Sequence, residues 1–171
     1  LTVAVNLSAH QFRDKELAQA VRDALEESGL PPHMLKLEIT ESAILHDADE
    51  CSAVLEELKS IGVGIAMDDF GTGYSSLAHL RRFPIEQLKI DSSFLRDVAR
   101  DPASAALVRG IIALARNLRL QTVAEGVETR EQMEFMREAG CDSFQGYLFS
   151  PPLPADALRA LLGARAGAFA G

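Results

Sequence analysis

The sequence predicts an α/β fold in which a parallel sheet, curled toward a (β/α) barrel, carries helices on its outer face. Two observations predict it. Six short apolar runs alternate with six stretches of helical periodicity, the order that parallel strands require, because each crossover must return along a helix. Nearly every run also carries a polar residue at or near its C-terminal end: Asn6, Glu38, Asp68 with Asp69, Lys89 with Asp91, Glu125, and Gln145. An open doubly wound sheet collects ligands at one crevice, whereas a barrel gathers the ends of many strands round one mouth. The barrel explains the polar ends; the open sheet does not.

Taken in order, Val3 to Leu7 is the first strand, and Asp14 is expected to cap a helix with Leu17, Val21, Ala24 and Leu25 on its apolar face. Gly29 and Pro31-Pro32 stop it. Leu35 to Thr40 alternates as a second strand and leads through Asp47 into a helix carrying Cys51, Val54, Leu55, Leu58 and Ile61, ended by Gly62. Val63 to Met67 is a continuous apolar run, as a strand covered on both faces should be. Leu77 to Arg82 reads as a short helix broken by Pro84, and Gln87 to Ile90 as a strand closing on Asp91. Asp101-Pro102 opens an apolar helix. Thr122 to Ala124 is the fifth strand, Thr129 and Gln132 are spaced as a capping box, and the helix they open ends at Gly140. Ser143 to Phe149 is the last strand and Ala155 to Leu162 the last helix. The reading gives one domain over 1–162 and a flexible Ala/Gly-rich tail over 163–171.

Bulk properties narrow the function. With 171 residues, 47% of them hydrophobic, the chain can bury a sizeable core. A formal net charge of −8 argues against a partner that is a nucleic-acid polymer, since no Lys/Arg stripe is available to replace condensed counterions. Cys51 and Cys141 have no Cys-x-x-Cys spacing and read as buried thiols of a reducing compartment, hence a cytoplasmic location. No run spans a bilayer, so no membrane contact is expected of this segment, though a parent protein could be anchored elsewhere.

Singly, each polar strand end has a plain reading: Asn6 caps a turn, Glu38 is solvated, Asp69 opens a turn, Lys89 pairs with Asp91. Jointly they point elsewhere. Carboxylates and an amide oxygen gathered at one mouth are hard ligands suited to Mg²⁺ or Mn²⁺. Adjacent Asp68 and Asp69 would let one carboxylate bridge two ions, the arrangement of two-metal phosphate-ester hydrolysis, with Lys89 as a fixed cation near the developing charge. Gly71 and Gly73 could offer N–H groups to an anion or simply form a hinge. His10, His33, His46 and His79 share no ligand spacing.

The strings VNLS (Val5 to Ser8), EITE (Glu38 to Glu41), DDFGTGYSSL (Asp68 to Leu77), LKID (Leu88 to Asp91), AEGVET (Ala124 to Thr129) and QGYLFS (Gln145 to Ser150) resemble, in order, the motifs of the EAL domain, a family of bacterial cyclic di-GMP phosphodiesterases. The resemblance implies a TIM-like barrel holding two Mg²⁺ or Mn²⁺ ions and opening cyclic di-GMP to linear pGpG. Position by position it implies Asn6, Glu38 and Asp68 as ligands of one ion, with Asp68 bridging to a second that takes Asp69 and Glu125. Lys89 is implied close to the nucleophilic water and scissile phosphate, with Asp91 its neighbour in the same motif, Gln145 beneath the metal and water site, and Glu41 and Glu128 as supports of the loop after Asp68-Asp69-Phe70-Gly71. A homodimer and further signalling domains in the parent are implied as partners. The alternative is an inactive receptor of cyclic di-GMP or an interaction module.

One departure stands out. The Glu-Ala-Leu tripeptide that names the family does not occur here. The expectation is therefore a TIM-like barrel lacking its first two strands and their helices, impaired as an enzyme when alone, with sheet edges and an apolar interior exposed.

Overall fold

The computed structural model describes residues 2–44, 48–71, 80 and 82–168. Its strands are β1 (Val3–Leu7), β2 (Leu35–Thr40), β3 (Gly64–Phe70), β4 (Gln87–Ile90), β5 (Gln121–Ala124) and β6 (Ser143–Phe144). They pair in parallel, each with its sequence neighbour, in the order β1-β2-β3-β4-β5-β6. The helices are α1 (Leu17–Ser28), α2 (Glu41–Ile44), α3 (Ala48–Ile61), α4 (Ser92–Leu95), α5 (Pro102–Asn117), α6 (Arg130–Ala139) and α7 (Ala155–Ala168).

The sheet is curled. In a flat sheet β1 and β6 would lie roughly 24 Å apart, five strand spacings of about 4.8 Å. Yet Thr2 and Ala4 from the first strand's side and Ser143 and Gln145 from the last line one cavity of about 310 Å³. The result is a half-barrel whose outer strands are β1 and β6.

Strand alternation then sorts the two faces. Leu37 and Ile39 of β2, Ile65 and Met67 of β3, and Leu88 and Ile90 of β4 are buried in the core with Leu55 and Leu58 of α3, Val108 and Ile112 of α5, and Met136 of α6. The alternate residues Lys36, Glu38, Gln87, Lys89 and Gln121 line the concave cavity. This corrects the expectation of an apolar interior. The apolar core lies on the convex side, under the helices, and the inner face is largely polar.

Local grammar holds at several ends. Asp101 caps α5 by accepting N–H bonds from Ala103 at 3.1 Å and Ser104 at 3.0 Å, with Pro102 following. Thr129 and Gln132 form the capping box of α6, and Gly140 ends that helix in the left-handed region. Elsewhere the structure differs. Asp14 does not cap α1; its carboxylate accepts from Glu16 N–H in a turn, and the helix starts at Leu17. Ala24 is exposed. The final helix runs to Ala168, past the Leu162 expected. Cys51 and Cys141 are buried and belong to no disulfide. The helix expected from Leu77 to Arg82 lies, apart from Leu80 and Arg82, outside the described residues, as do Asp47, His46, His79 and Gly73. No helix among the described residues is long and apolar enough to cross a membrane.

The largest difference is β6, two residues long where seven were expected. Its continuation is bent by tertiary contacts: Val127 N–H donates to Gln145 O at 3.0 Å, Leu148 N–H donates to Val127 O at 3.0 Å, and Phe149 N–H turns back to Gly146 O at 3.1 Å. Gly146 sits so close that a Cβ would collide with the backbone nitrogen and carbonyl oxygen of Val127. Backbone atoms there have little room to yield. Gly146→Ala should therefore lower the unfolding free energy by about 2 kcal/mol or more in urea denaturation; an unchanged midpoint would show that this contact relaxes freely.

Candidate active site

Regular strand geometry sends neighbouring side chains to opposite faces, so Asp68 and Asp69 should point apart. They do not. The β3–β4 register shifts between Met67 and Phe70, and Asp69 has φ 54°, left-handed for a non-glycine residue. This bulge turns both carboxylates toward the mouth, where oxygens of Asp68, Asp69 and Glu125 lie within 4.8 Å of one another. The strand runs on to Phe70, beyond the Met67 expected, so the pair belongs to the bulged strand end.

Lys89 stands at the centre of the site. Only 4% exposed, it places Nζ 2.6 Å from Glu38 Oε2, 2.7 Å from Glu125 Oε1 and 3.1 Å from Asp68 Oδ1. The surface pairing with Asp91 is not what forms. Asp91 instead caps α4, its carboxylate accepting Ser93 N–H at 3.0 Å. Gln145 Nε2 donates to the same Glu125 oxygen that Lys89 holds.

Charge states follow from this packing. Burial works against the Lys89 ammonium, but its hydrogen bonds to Glu125 and Glu38 and the Asp68 charge outweigh it and hold its pKa above the ordinary lysine range. Burial, with the Asp68 charge, pushes Glu125 up to about 7 despite the pull of Lys89. Asp69 is raised by burial and by the charges of Asp68 and Asp91. In Asp91 burial is overcome by hydrogen bonds from Ser93 and Ser92, which lower it.

The remaining expected residues are placed as follows. Glu41, buried at the start of α2, accepts Gly71 N–H on Oε2 at 3.4 Å, which ties the segment after β3 to β2's end. Asn6 is exposed and in register with Glu38. Glu128 donates its backbone N–H to Gln132 Oε1 at 2.8 Å and lines a separate cavity of about 530 Å³ with Arg96, Arg100 and Thr129. Two contributors were not anticipated. Gln87 shares the inner face two residues before Lys89, which the alternation signals. Phe94 packs so closely under Gly71 that a Cβ there would lie 2.9 Å from its ring; nothing local in the sequence signals that contact.

The donor set fits divalent metal. Every candidate ligand is an oxygen, three carboxylates already converge, and an internal cation is drawn to them, so the site attracts positive charge and offers the hard donors that Mg²⁺ and Mn²⁺ prefer.

A sequence model of the EAL domain matches residues 1–152. Over 158 residues the chain is 51% identical to the bifunctional diguanylate cyclase/cyclic di-GMP phosphodiesterase MucR of Pseudomonas aeruginosa, covering 92% of this chain and 23% of MucR. The solved PaMucR phosphodiesterase in complex with c-di-GMP superposes with a TM-score of 0.87 over 92% of this chain and 64% of that one. The EAL domain of Mycobacterium smegmatis DcpA, 38% identical, gives 0.91 over 96% and 74%. Klebsiella pneumoniae BlrP1 in its manganese/cy-diGMP complex, 34% identical, gives 0.83 over 88% and 39%. The chain spans about a fifth of the length of the curated relatives it matches.

The raised Glu125 has a directional consequence. Between its ordinary value of 4.5 and about 7 the folded chain keeps a proton that the unfolded chain has released. The stability this contributes below pH 4.5 is therefore lost as pH rises through 7. Carboxyl-carbon NMR should show Glu125 titrating near 7; a midpoint at 4.5 would mean that burial does not control it.

Proposed function

The chain belongs to the EAL domain family, and on that premise we propose that it carries the catalytic mouth of a metal-dependent phosphodiesterase that hydrolyses cyclic di-GMP to linear pGpG. The observation that carries the reading is the convergence of Asp68, Asp69 and Glu125 beside a buried Lys89. A module that only bound nucleotide would have no use for an acidic cluster that repels phosphate.

In this reading Asp68, Asp69 and Glu125 hold two Mg²⁺ or Mn²⁺ ions, together with Glu38 and Asn6 on the neighbouring strands. Such ions lower the pKa of water and neutralise phosphodiester charge. The chain's own groups do the rest. Lys89 keeps a permanent positive charge where negative charge develops at phosphorus. Gln145 fixes the Glu125 carboxylate by its amide N–H. Asp91 stays ionised as the cap of α4 and holds the end of β4 in place. Glu41, through Gly71 N–H, orients the segment that follows the carboxylate pair, and Glu128, in the loop after β5, is taken as its second support on the strength of the motif alone. The working form is a cytoplasmic homodimer within a larger signalling protein.

The test is product analysis with cyclic di-GMP and Mn²⁺. Since these 171 residues contain no Glu-Ala-Leu tripeptide and the outer strand β1 exposes Val3 and Val5 at 44% each, the assay compares this chain with the same chain fused to the barrel segment of MucR that it does not match. Linear pGpG should form slowly with the first and faster with the second. Asp68→Asn, which removes one charge at constant size, should cut the fused chain's turnover by at least about 100-fold. Nucleotide binding without product in both forms would instead establish a receptor.

A further inference from the structure

We propose that Lys89 is a displaceable counter-ion, competing with divalent metal for the carboxylates of the mouth and so setting the affinity of the site. The inference rests on the metal reading given above. An ammonium has three hydrogens, and here three carboxylates surround it, Glu38 at 2.6 Å, Glu125 at 2.7 Å and Asp68 at 3.1 Å. Its bonding capacity is filled.

The oxygens it holds are filled as well. Asp68 Oδ1 accepts from Lys89 and from Asp69 N–H at 3.0 Å, and Glu125 Oε1 accepts from Lys89 and from Gln145 Nε2. Each carboxylate oxygen has two lone pairs. Asp68 and Glu125 are two of the three residues whose oxygens converge with Asp69, so an ion that binds through Asp68 Oδ1 or Glu125 Oε1 must remove a donor, and one that takes their other oxygens still meets the Lys89 ammonium held on the same carboxylates at 3.1 and 2.7 Å. The Asp69 N–H is fixed in the backbone of the bulge. The Lys89 ammonium ends a flexible four-carbon stem, and it alone repels the incoming ion. It is the donor that leaves. Glu38, outside the converging trio, holds Nζ through Oε2 at the shortest of the three distances and is the partner to which the ammonium retreats, its Oε1 being the oxygen left for metal.

Competition of this kind has two readouts independent of turnover. The first is the Lys89 ammonium ¹⁵N signal in chelator-treated, ¹⁵N-lysine-labelled chain, assigned by its loss in Lys89→Arg. Mg²⁺ should shift or broaden that signal with the midpoint found by calorimetry. The second is affinity: Lys89→Met should bind Mn²⁺ about tenfold more tightly or better. An ammonium signal unmoved at Mg²⁺ saturation, or equal Mn²⁺ affinity in both chains, overturns the competition and leaves the metal reading intact. If neither chain binds Mn²⁺ or Mg²⁺, the metal reading fails and the competition with it. The NMR arm uses the unaltered chain, so it decides the matter even if Lys89→Met does not fold.

Discussion

One ammonium among three carboxylates is the interaction on which the mouth depends. Glu38, Asp68 and Glu125 come from β2, β3 and the end of β5, and their mutual repulsion at this burial would drive the strand ends apart without a cation between them. Lys89 is on β4, between the strands that carry Asp68 and Glu125. Glu38 is two strands away, roughly 10 Å across a flat sheet, and reaches the same Nζ because the sheet curls and both side chains face the concavity. Curvature and charge pairing therefore support each other. The curl brings the carboxylates within reach of one lysine, and that lysine makes the curled arrangement electrostatically tolerable.

The second constraint is backbone strain confined to one step. A left-handed conformation at a non-glycine residue costs on the order of 1–3 kcal/mol and persists only where its surroundings fix it. Asp69 is fixed through its neighbours, Asp68 in register with Thr40 of β2 and Phe70 in register with Ile90 of β4, with Gly71 beyond pressed against Phe94 and tied to Glu41. That cost is local, and what it achieves is chemical: two consecutive carboxylates on one side of a strand, which regular alternation forbids.

Much of this was legible in the sequence, and what was not has identifiable causes. Apolar runs located β2 to β5 because each has buried positions in the sheet, and β1, of which only Leu7 is buried, was legible from its apolar run alone; caps at Asp101 and Thr129 were legible because their partners lie within four residues. The end of β6 was not legible, since it is decided by Val127, far away in sequence and close to Gly146 in space. Asp14 misled for a related reason: an Asx turn and a helix cap look the same until the next three residues choose. The polar strand ends were visible as a list, but spacing alone could not say that Lys89 pairs with Glu38, Asp68 and Glu125 in preference to Asp91. Those partners converge only through topology. The individual roles came from the resemblance of the motifs, not from composition or periodicity.

The two faces of the sheet divide the labour. Leu55, Leu58, Val108, Ile112 and Met136 bury the convex side, while Lys36, Gln87 and Gln121 line the concave side with groups that water or a polar ligand can satisfy. A barrel whose stability came from an apolar interior could not lie open along β1 and β6 without exposing that core. Here most of the core is buried under the helices, so an open half-barrel keeps it, and the exposed cost falls on the outer strand β1, where Val3 and Val5, in register with the core residues Leu35 and Leu37, are left uncovered. The same division lets the mouth concentrate five acidic residues, Glu38, Asp68, Asp69, Asp91 and Glu125, without drawing on the packing that holds the chain together. Substitutions at the mouth should thus be felt first as changes in charge balance and ligand affinity, whereas substitutions on the convex side are felt as loss of the sheet itself.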